Sequence, residues 1–124
     1  MRTPIAYGLS WPERITSGVS ELDLFDIAQL DFEAPDLERF PCLRLAMQAM
    51  QQGGTATAIL NASNEVAVAE FLAEKIRFTD IPRIVESVLE TSNIVSADSL
   101  QCVLAADNEA REMARIKIRD EIAC

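Results

Sequence analysis

Apolar residues recur with a helical period from residue 41 to the end of the chain. Within 42–52 they occupy positions i, i+3, i+4 and i+7, which predicts a helix with one apolar face that ends at Gly53 and Gly54. Within 55–76 they lie on two sides of the predicted helix. A helix that is apolar nearly all round is buried, so we expect this one at the centre of the fold.

Two further helices follow in the pattern. Thr79 and Asp80 precede the third, in which Pro82 is tolerated in the first turn. Its predicted inner face is aliphatic and consists of Ile81, Ile84, Val85, Val88 and Leu89. After a short helical turn over 99–105, Asp107 is predicted to cap the last helix. Short loops separate the segments, so the pattern predicts a small antiparallel bundle of about four helices.

The first 40 residues show a mixed pattern. Pro4 suits the first turn of a short helix that Trp11 and Pro12 would end. Residues 30–33 alternate apolar and acidic side chains, as a half-buried strand does. One or two strands cannot satisfy their own backbone groups, so this piece is expected to belong to a sheet that the rest of the chain does not supply. The boundary is predicted within 36–41.

Composition and charge exclude several classes of function. The chain has 124 residues, of which 49% are hydrophobic, and a net charge of −9. One compact, ordered unit fits that length, while the acidic charge argues against a nucleic-acid footprint. Histidine is absent, so this chain has no histidine base, Ser-His-Asp triad or histidine metal ligand. No signal peptide or membrane-length apolar run is visible, which predicts a soluble cytoplasmic protein.

The other candidate sites are weak. Cys42, Cys102 and Cys124 are odd in number and far apart, which favours reduced thiols over a zinc site or disulfides. The acidic pairs 23/26 and 31/33 fit no calcium loop and indicate a solvated face. Gly53-Gly54-Thr55 lacks the strand and lysine of a phosphate loop and is interpreted as a turn between helices. Trp11 is open to two interpretations, a stacking surface for a ligand or an apolar cap.

A polar belt interrupts the central helix, and we define it as Asn61, Asn64 and Glu65. These residues lie at i, i+3 and i+4, so they project from one side of the helix. One interpretation is a binding or acid–base site. The other is a satisfied hydrogen-bond network that ties the helix to a neighbouring loop, and the absence of a nearby histidine, lysine or second acid favours it.

Four stretches of the sequence resemble a known family in order and spacing. They are MRTPIAYGLSWPER, FPCLRLAMQAM, AILNASNEVAVAEFLAEKIRFTDI and DNEAREMAR. Over essentially all 124 residues the chain resembles the C-terminal part of 1-deoxy-D-xylulose 5-phosphate reductoisomerase. Gly8 stands where alanine is common in that family, and Ser63 replaces an alanine of its Asn-Ala-Ala-Asn-Glu block.

The resemblance implies an enzyme that rearranges 1-deoxy-D-xylulose 5-phosphate and reduces the product with NADPH to 2-C-methyl-D-erythritol 4-phosphate, using Mg2+ or Mn2+. It implies a cytoplasmic homodimer with a Rossmann-type cofactor domain, a central catalytic domain and a C-terminal helical bundle. Residues 1–40 are then a remnant of the central domain, and residues 41–124 are the bundle. The family's cofactor turn, metal-binding Ser-Glu-His region and Asn-Lys substrate segment have no counterpart in this sequence.

Met1 is the one site residue that the resemblance implies. It matches the methionine of the family's Met-Arg-x-Pro-Ile segment, which lies close to the nicotinamide, so it is a candidate cofactor contact. No catalytic or metal-ligating residue is expected, and no cofactor is expected to bind this part alone. The isolated chain is therefore predicted to be inactive, with the missing N-terminal domains and a second copy, paired through residues 20–35, as partners. The alternative is a free-standing, non-catalytic helical interaction module.

Overall fold

Six α-helices form the regular structure of this protein in a computed structural model that describes residues 1–20 and 22–122. Their bounds are α1 Arg2–Ser10, α2 Leu24–Ile27, α3 Pro41–Gln52, α4 Ala56–Leu72, α5 Asp80–Thr91 and α6 Leu100–Lys117, and a π-helical turn, Ile118–Ile122, follows α6. The chain divides into two compact units, Met1–Ala34 and Pro35–Cys124. The predicted mainly α fold with a bundle of four helices, α3 to α6, is confirmed.

The first unit contains two short helices. The helix predicted to open near Pro4 is present as α1, and Trp11 follows its last residue. Helix α2 was not predicted. Asp23 caps it, because its side-chain oxygen accepts hydrogen bonds from the backbone N–H groups of Phe25 at 2.8 Å and Asp26 at 3.4 Å.

The strand predicted at residues 30–33 is not formed. Throughout residues 1–20 and 22–122 the structure contains no strand, and residues 28–36 have no regular secondary structure. The alternation of apolar and acidic residues is real, but a strand exists only when a neighbour receives its backbone hydrogen bonds. Within the described part of this chain no such neighbour is present, so the pattern alone does not produce the element.

Helix α4 occupies the centre of the bundle, as its two apolar sides predicted. It packs against α3, α5 and α6. It ends at Leu72, four residues earlier than the sequence predicted, because Glu74 adopts a left-handed conformation with φ 61°. The N–H of Lys75 then donates to the carbonyl of Glu70 at 3.0 Å, which satisfies one of the last carbonyls of the helix.

Helix α6 is continuous, and this corrects the prediction of a short turn followed by a helix capped at Asp107. The helix begins after Ser99, whose hydroxyl accepts a hydrogen bond from the N–H of Cys102 at 3.2 Å. Asp107 lies in the middle of the helix and pairs with Arg111. An aspartate before an apolar period is a cap signal only where the preceding turn is not helical.

The core of the bundle is aliphatic and alanine-rich. Its fully buried large side chains come from α4 and α5, and include Ile59, Ile84, Val85 and Val88. Small side chains of α4 and α6 meet in the same core, and they are Ala62, Ala67, Ala110 and Ala114. Alanine adds little bulk, so side chains of this size allow two packed helices to approach closely. No helix within the described residues is long and apolar enough to cross a membrane.

Candidate functional site

The polar belt of α4 is linked to helix α6 by an arginine. The guanidinium of Arg111 donates to Glu65 at 2.7 Å and to both carboxylate oxygens of Asp107 at 2.7 and 3.1 Å. The side-chain amide of Asn61 donates to the other oxygen of Glu65 at 3.0 Å. Asn61 and Glu65 of the belt therefore belong to a network between two helices, whereas Asn64 takes no part in it. The predicted partner was a neighbouring loop, and that detail was wrong because the partner is helix α6.

Hydrogen bonds within the network shift the pKa values of Glu65 and Arg111 toward their charged forms. Hydrogen bonds from Arg111 and Asn61 lower the pKa of the Glu65 carboxyl below its ordinary value. The hydrogen bond to Asp107, followed by that to Glu65, raises the pKa of the Arg111 guanidinium. Both carboxylate oxygens of Glu65 accept hydrogen bonds from Asn61 and Arg111, which suits an interhelical tie rather than proton transfer. The sequence pattern did not identify Asp107 and Arg111 as members of this network. Their i, i+4 spacing, which is typical of an ion pair on one helix face, was the signal that could have found them.

Asn64 faces a different feature, an apolar groove of the bundle. The groove encloses about 520 Å³. We name it the bundle groove and define it by the residues that line it: Glu38, Arg39, Phe40, Pro41, Cys42, Arg44, Asn64, Val68, Phe78, Thr79, Ile81, Pro82, Arg83 and Glu86. Its volume lies within the range of ligand and partner pockets. Nothing in the sequence pattern indicated it, because its walls come from three separate helices.

Met1, the candidate cofactor contact, lies at the start of α1 with 93% of its surface exposed. Its carbonyl accepts a hydrogen bond from the N–H of Ile5 at 3.3 Å, so the residue is part of the first helical turn. Trp11, at the other end of this helix, makes an edge-to-face contact with Tyr7 at 5.4 Å and is also largely exposed. Both side chains are available to a partner.

The turn Gly53-Gly54-Thr55 joins two helices, as interpreted from the sequence. Thr55 is fully buried. Its N–H donates to the carbonyl of Val95 at 2.9 Å, and its hydroxyl accepts from the N–H of Val95 at 3.2 Å. These bonds tie the turn to the loop between α5 and α6. The N–H groups of Gly53 and Thr55 are therefore engaged by carbonyls of the protein rather than pointed at an anion.

The remaining predicted groups have separate surroundings. Asp31 accepts a hydrogen bond from Gln29 at 2.7 Å, and Asp23 caps α2. Cys42 and Cys102 are free thiols, and burial raises the pKa of the Cys42 thiol. Cys124 lies outside the described residues. In the part of the chain that the structure describes, no three metal-ligating side chains gather into one cluster.

A family model described as the C-terminal domain of DXP reductoisomerase matches residues 1–113. The chain belongs to this family. A relative named 1-deoxy-D-xylulose 5-phosphate reductoisomerase, from Pseudomonas aeruginosa strain UCBPP-PA14, is 59% identical over 114 residues, which cover 92% of this chain and 29% of the relative.

Solved structures of the reductoisomerase agree with the fold. The protein from Zymomonas mobilis in complex with NADPH superposes with a TM-score of 0.83 at 47% identity, over 95% of this chain and 31% of that one. A second reductoisomerase, in complex with NADPH, fosmidomycin and magnesium, has a TM-score of 0.83 at 42% identity, over 95% of this chain and 31% of that one. The chain thus spans about 30% of the length of these relatives.

Proposed function

We propose that this chain is the C-terminal part of an NADPH-dependent reductoisomerase. The enzyme would convert 1-deoxy-D-xylulose 5-phosphate to 2-C-methyl-D-erythritol 4-phosphate in the non-mevalonate route to isoprenoids, in the cytoplasm. The match of residues 1–113 to the family model is the observation that carries the proposal. In that enzyme the helical bundle of this chain acts as a structural support.

The chemistry belongs to polypeptide outside this chain in our proposal. A related structure holds NADPH and magnesium, whereas the described residues here offer no cluster fit for a metal ion. Met1 is the residue that we assign to the cofactor, because it is exposed at the start of α1 and matches the family's methionine. The isolated chain is accordingly expected to be inactive.

A chimera tests this function. The matching C-terminal 29% of the Pseudomonas aeruginosa relative is replaced by this chain, and oxidation of NADPH is followed with 1-deoxy-D-xylulose 5-phosphate as substrate. We expect turnover by the chimera and none by the isolated chain or by the host enzyme without its C-terminal part. Robust turnover by the isolated chain would contradict the proposal. A correctly folded but inactive chimera would favour the non-catalytic interaction module.

The role of Met1 is tested in the same chimera. Met1→Ala is expected to raise the KM for NADPH about threefold or more with a smaller change in kcat, because it removes a binding contact rather than a transition-state contact. Leu9→Ala, on the same helix and 82% exposed, is the matched control and is expected to leave both constants unchanged. An unchanged KM in the Met1 variant would remove Met1 from the site.

We further propose that the protein is a homodimer that associates through residues 20–35. In this segment Phe25 is 95% exposed and Phe32 is 88% exposed, and the acidic–apolar alternation at 30–33 suits a strand that a second copy completes. Light scattering of the isolated chain is expected to give the mass of a dimer, and Phe32→Asp is expected to give a monomer. A monomer before substitution would rule the dimer out.

A further inference from the structure

The bundle groove has the surface chemistry of an interface. Phe40 and Phe78 line it with exposed fractions of 57% and 70%, and the Phe78 ring also packs edge-to-face on Phe71 at 5.7 Å. Val68 and Ile81 continue the apolar wall. Exposed aromatic groups in a concave, mostly apolar surface are typical of the centre of a protein interface rather than of a free solvent face.

The rim of the groove carries charges that are only partly neutralised. Arg44 pairs with Glu86 at 2.8 Å, and this pair bounds the groove on one side. Glu38 and Arg39 have no ion-pair partner among the residues that the structure describes, and the Arg39 guanidinium lies 5.6 Å from the Phe40 ring centre. The groove therefore suits a partner with apolar side chains and a complementary polar rim.

The position of the groove indicates where that partner comes from. One wall is formed by residues 38–42, through which the chain enters the bundle. In the longer relatives, the polypeptide before the matched part is covalently connected to the bundle through this wall, and such a connection raises the effective concentration of a docking surface. This protein matches about a third of each solved relative, and the family model identifies the matched third as C-terminal. The other two thirds of each relative therefore precede it in sequence.

We propose that the bundle groove is the docking surface for the N-terminal portion of the longer reductoisomerase, which inserts apolar side chains against Phe40, Val68 and Phe78. The inference rests on the proposed function, because it requires the longer enzyme. It assigns a specific surface of the bundle to the contact between domains. It also gives the family's helical domain a means to stabilise the rest of the enzyme without contributing chemistry.

Cys42 reports on the groove directly, because it lines the groove and is an exposed residue. Its rate of alkylation by iodoacetamide is measured by mass spectrometry in the isolated chain and in the chimera, at the same pH. We expect alkylation to be about tenfold slower in the chimera, because a docked domain must open before the reagent enters. Cys102 on α6 does not line the groove and is the internal control, with an unchanged rate expected.

A pair of variants extends the test. Phe78→Ser and Leu100→Ser remove side chains that are both 70% exposed, and only Phe78 lines the groove. Phe78→Ser is expected to lower the urea midpoint of the isolated chain slightly, because it removes the ring contact with Phe71, whereas Leu100→Ser is expected to leave the midpoint unchanged. In the chimera Phe78→Ser is expected to return Cys42 alkylation to the rate of the isolated chain, whereas Leu100→Ser is expected to leave the protection in place.

The outcomes separate this inference from the proposed function. Equal Cys42 rates in an active chimera would overturn the docking surface and leave the function intact. Protection of Cys42 in an inactive chimera would support the surface and count against the function. Protection that rises with the concentration of the isolated chain would identify a second copy as the occupant and overturn the proposal. A chimera with the Zymomonas mobilis host provides the same readout where the first host does not fold.

Discussion

Gly53 and Gly54 share a positive φ but have different surroundings. Both have positive φ, 70° and 55°, which side-chain-bearing residues rarely adopt. A Cβ added to Gly53 would meet nothing within 4 Å, whereas one added to Gly54 would clash with the carbonyl oxygen of Val95. The second glycine is therefore required by close approach of two backbone segments as well as by its own conformation.

This difference predicts unequal effects of alanine at the two positions. Gly53→Ala is expected to lower the free energy of unfolding by about 1–3 kcal/mol, because φ 70° and ψ −155° define a conformation that is essentially restricted to glycine. Gly54→Ala adds displacement of the Val95 backbone and is expected to cost about 2 kcal/mol more. Urea unfolding of both variants measures the difference. Equal losses would mean that the turn and the Val95 loop do not approach as closely as described.

The Glu65 carboxylate predicts a specific pH dependence. Its pKa is lower in the folded chain than in the unfolded chain, so its stabilising effect is complete above about pH 4.5 and is lost as the pH falls through the folded-state pKa. Glu65→Gln is expected to lower the urea midpoint near neutral pH, and the gap to the unsubstituted protein is expected to close in acid. Glu109→Gln, at an exposed carboxylate without an ion pair among the described residues, is the control. A gap that persists in acid would contradict the ion pair.

At the scale of elements, the start of α6 shows most clearly how the predicted and observed bounds of a helix can differ. Asp107 precedes an apolar period, and this pattern predicts that the helix begins there. In the structure Ala106, Ala110 and Ala114 all contribute to the core packing, so the helical face extends before Asp107. The packing surface and the Ser99 cap together set the start of the helix.

Ser99→Ala is accordingly expected to destabilise the protein by about 1 kcal/mol, the usual effect of removing an N-cap hydroxyl. The free energy of unfolding and the far-ultraviolet helical signal measure it. Ser96→Ala, in the preceding loop, is the matched substitution and is expected to have little effect. If α6 instead began at Asp107, the two serine variants would be indistinguishable.

At the scale of the whole molecule, the two units differ in how much interior they have. Every buried residue in the described part of the chain lies between Leu45 and Ile118, within the second unit. The first unit consists of short helices and irregular segments with no buried residue at 1–20 or 22–34. Since burial of apolar surface is the main favourable term in folding, the second unit carries the stability of the chain.

Removal of residues 1–34 is therefore expected to leave a cooperative unfolding transition with the free energy changed by less than about 1 kcal/mol. Circular dichroism in urea measures this on the full and shortened chains. Ile84→Ala, at a core position 2% exposed, is expected to cost about 2–5 kcal/mol in both and shows that the same core is being observed. Loss of the cooperative transition on shortening would show that the bundle depends on the first unit.

The sequence by itself determined the helical class, the central position of α4 and the absence of histidine chemistry. The helical period depends on residues that are close in sequence, and composition depends on no arrangement at all. Both can therefore be determined without knowledge of the fold. The motif blocks also carried the family resemblance, which residues 1–113 confirm. The same local information predicted a strand at 30–33, and that prediction failed because a strand needs a partner that local sequence does not contain.

Only the tertiary structure decided which polar groups meet. Arg111 reaches Glu65 across 46 positions, and Val95 reaches Thr55 across 40. The bundle groove likewise exists only because three helices leave a concave surface between them. Pairing of distant side chains depends on how helices pack and rotate, and these are set by the summed contacts of the whole core. Periodicity along one segment carries no information about the facing one, which is why the network and the groove appear only in three dimensions.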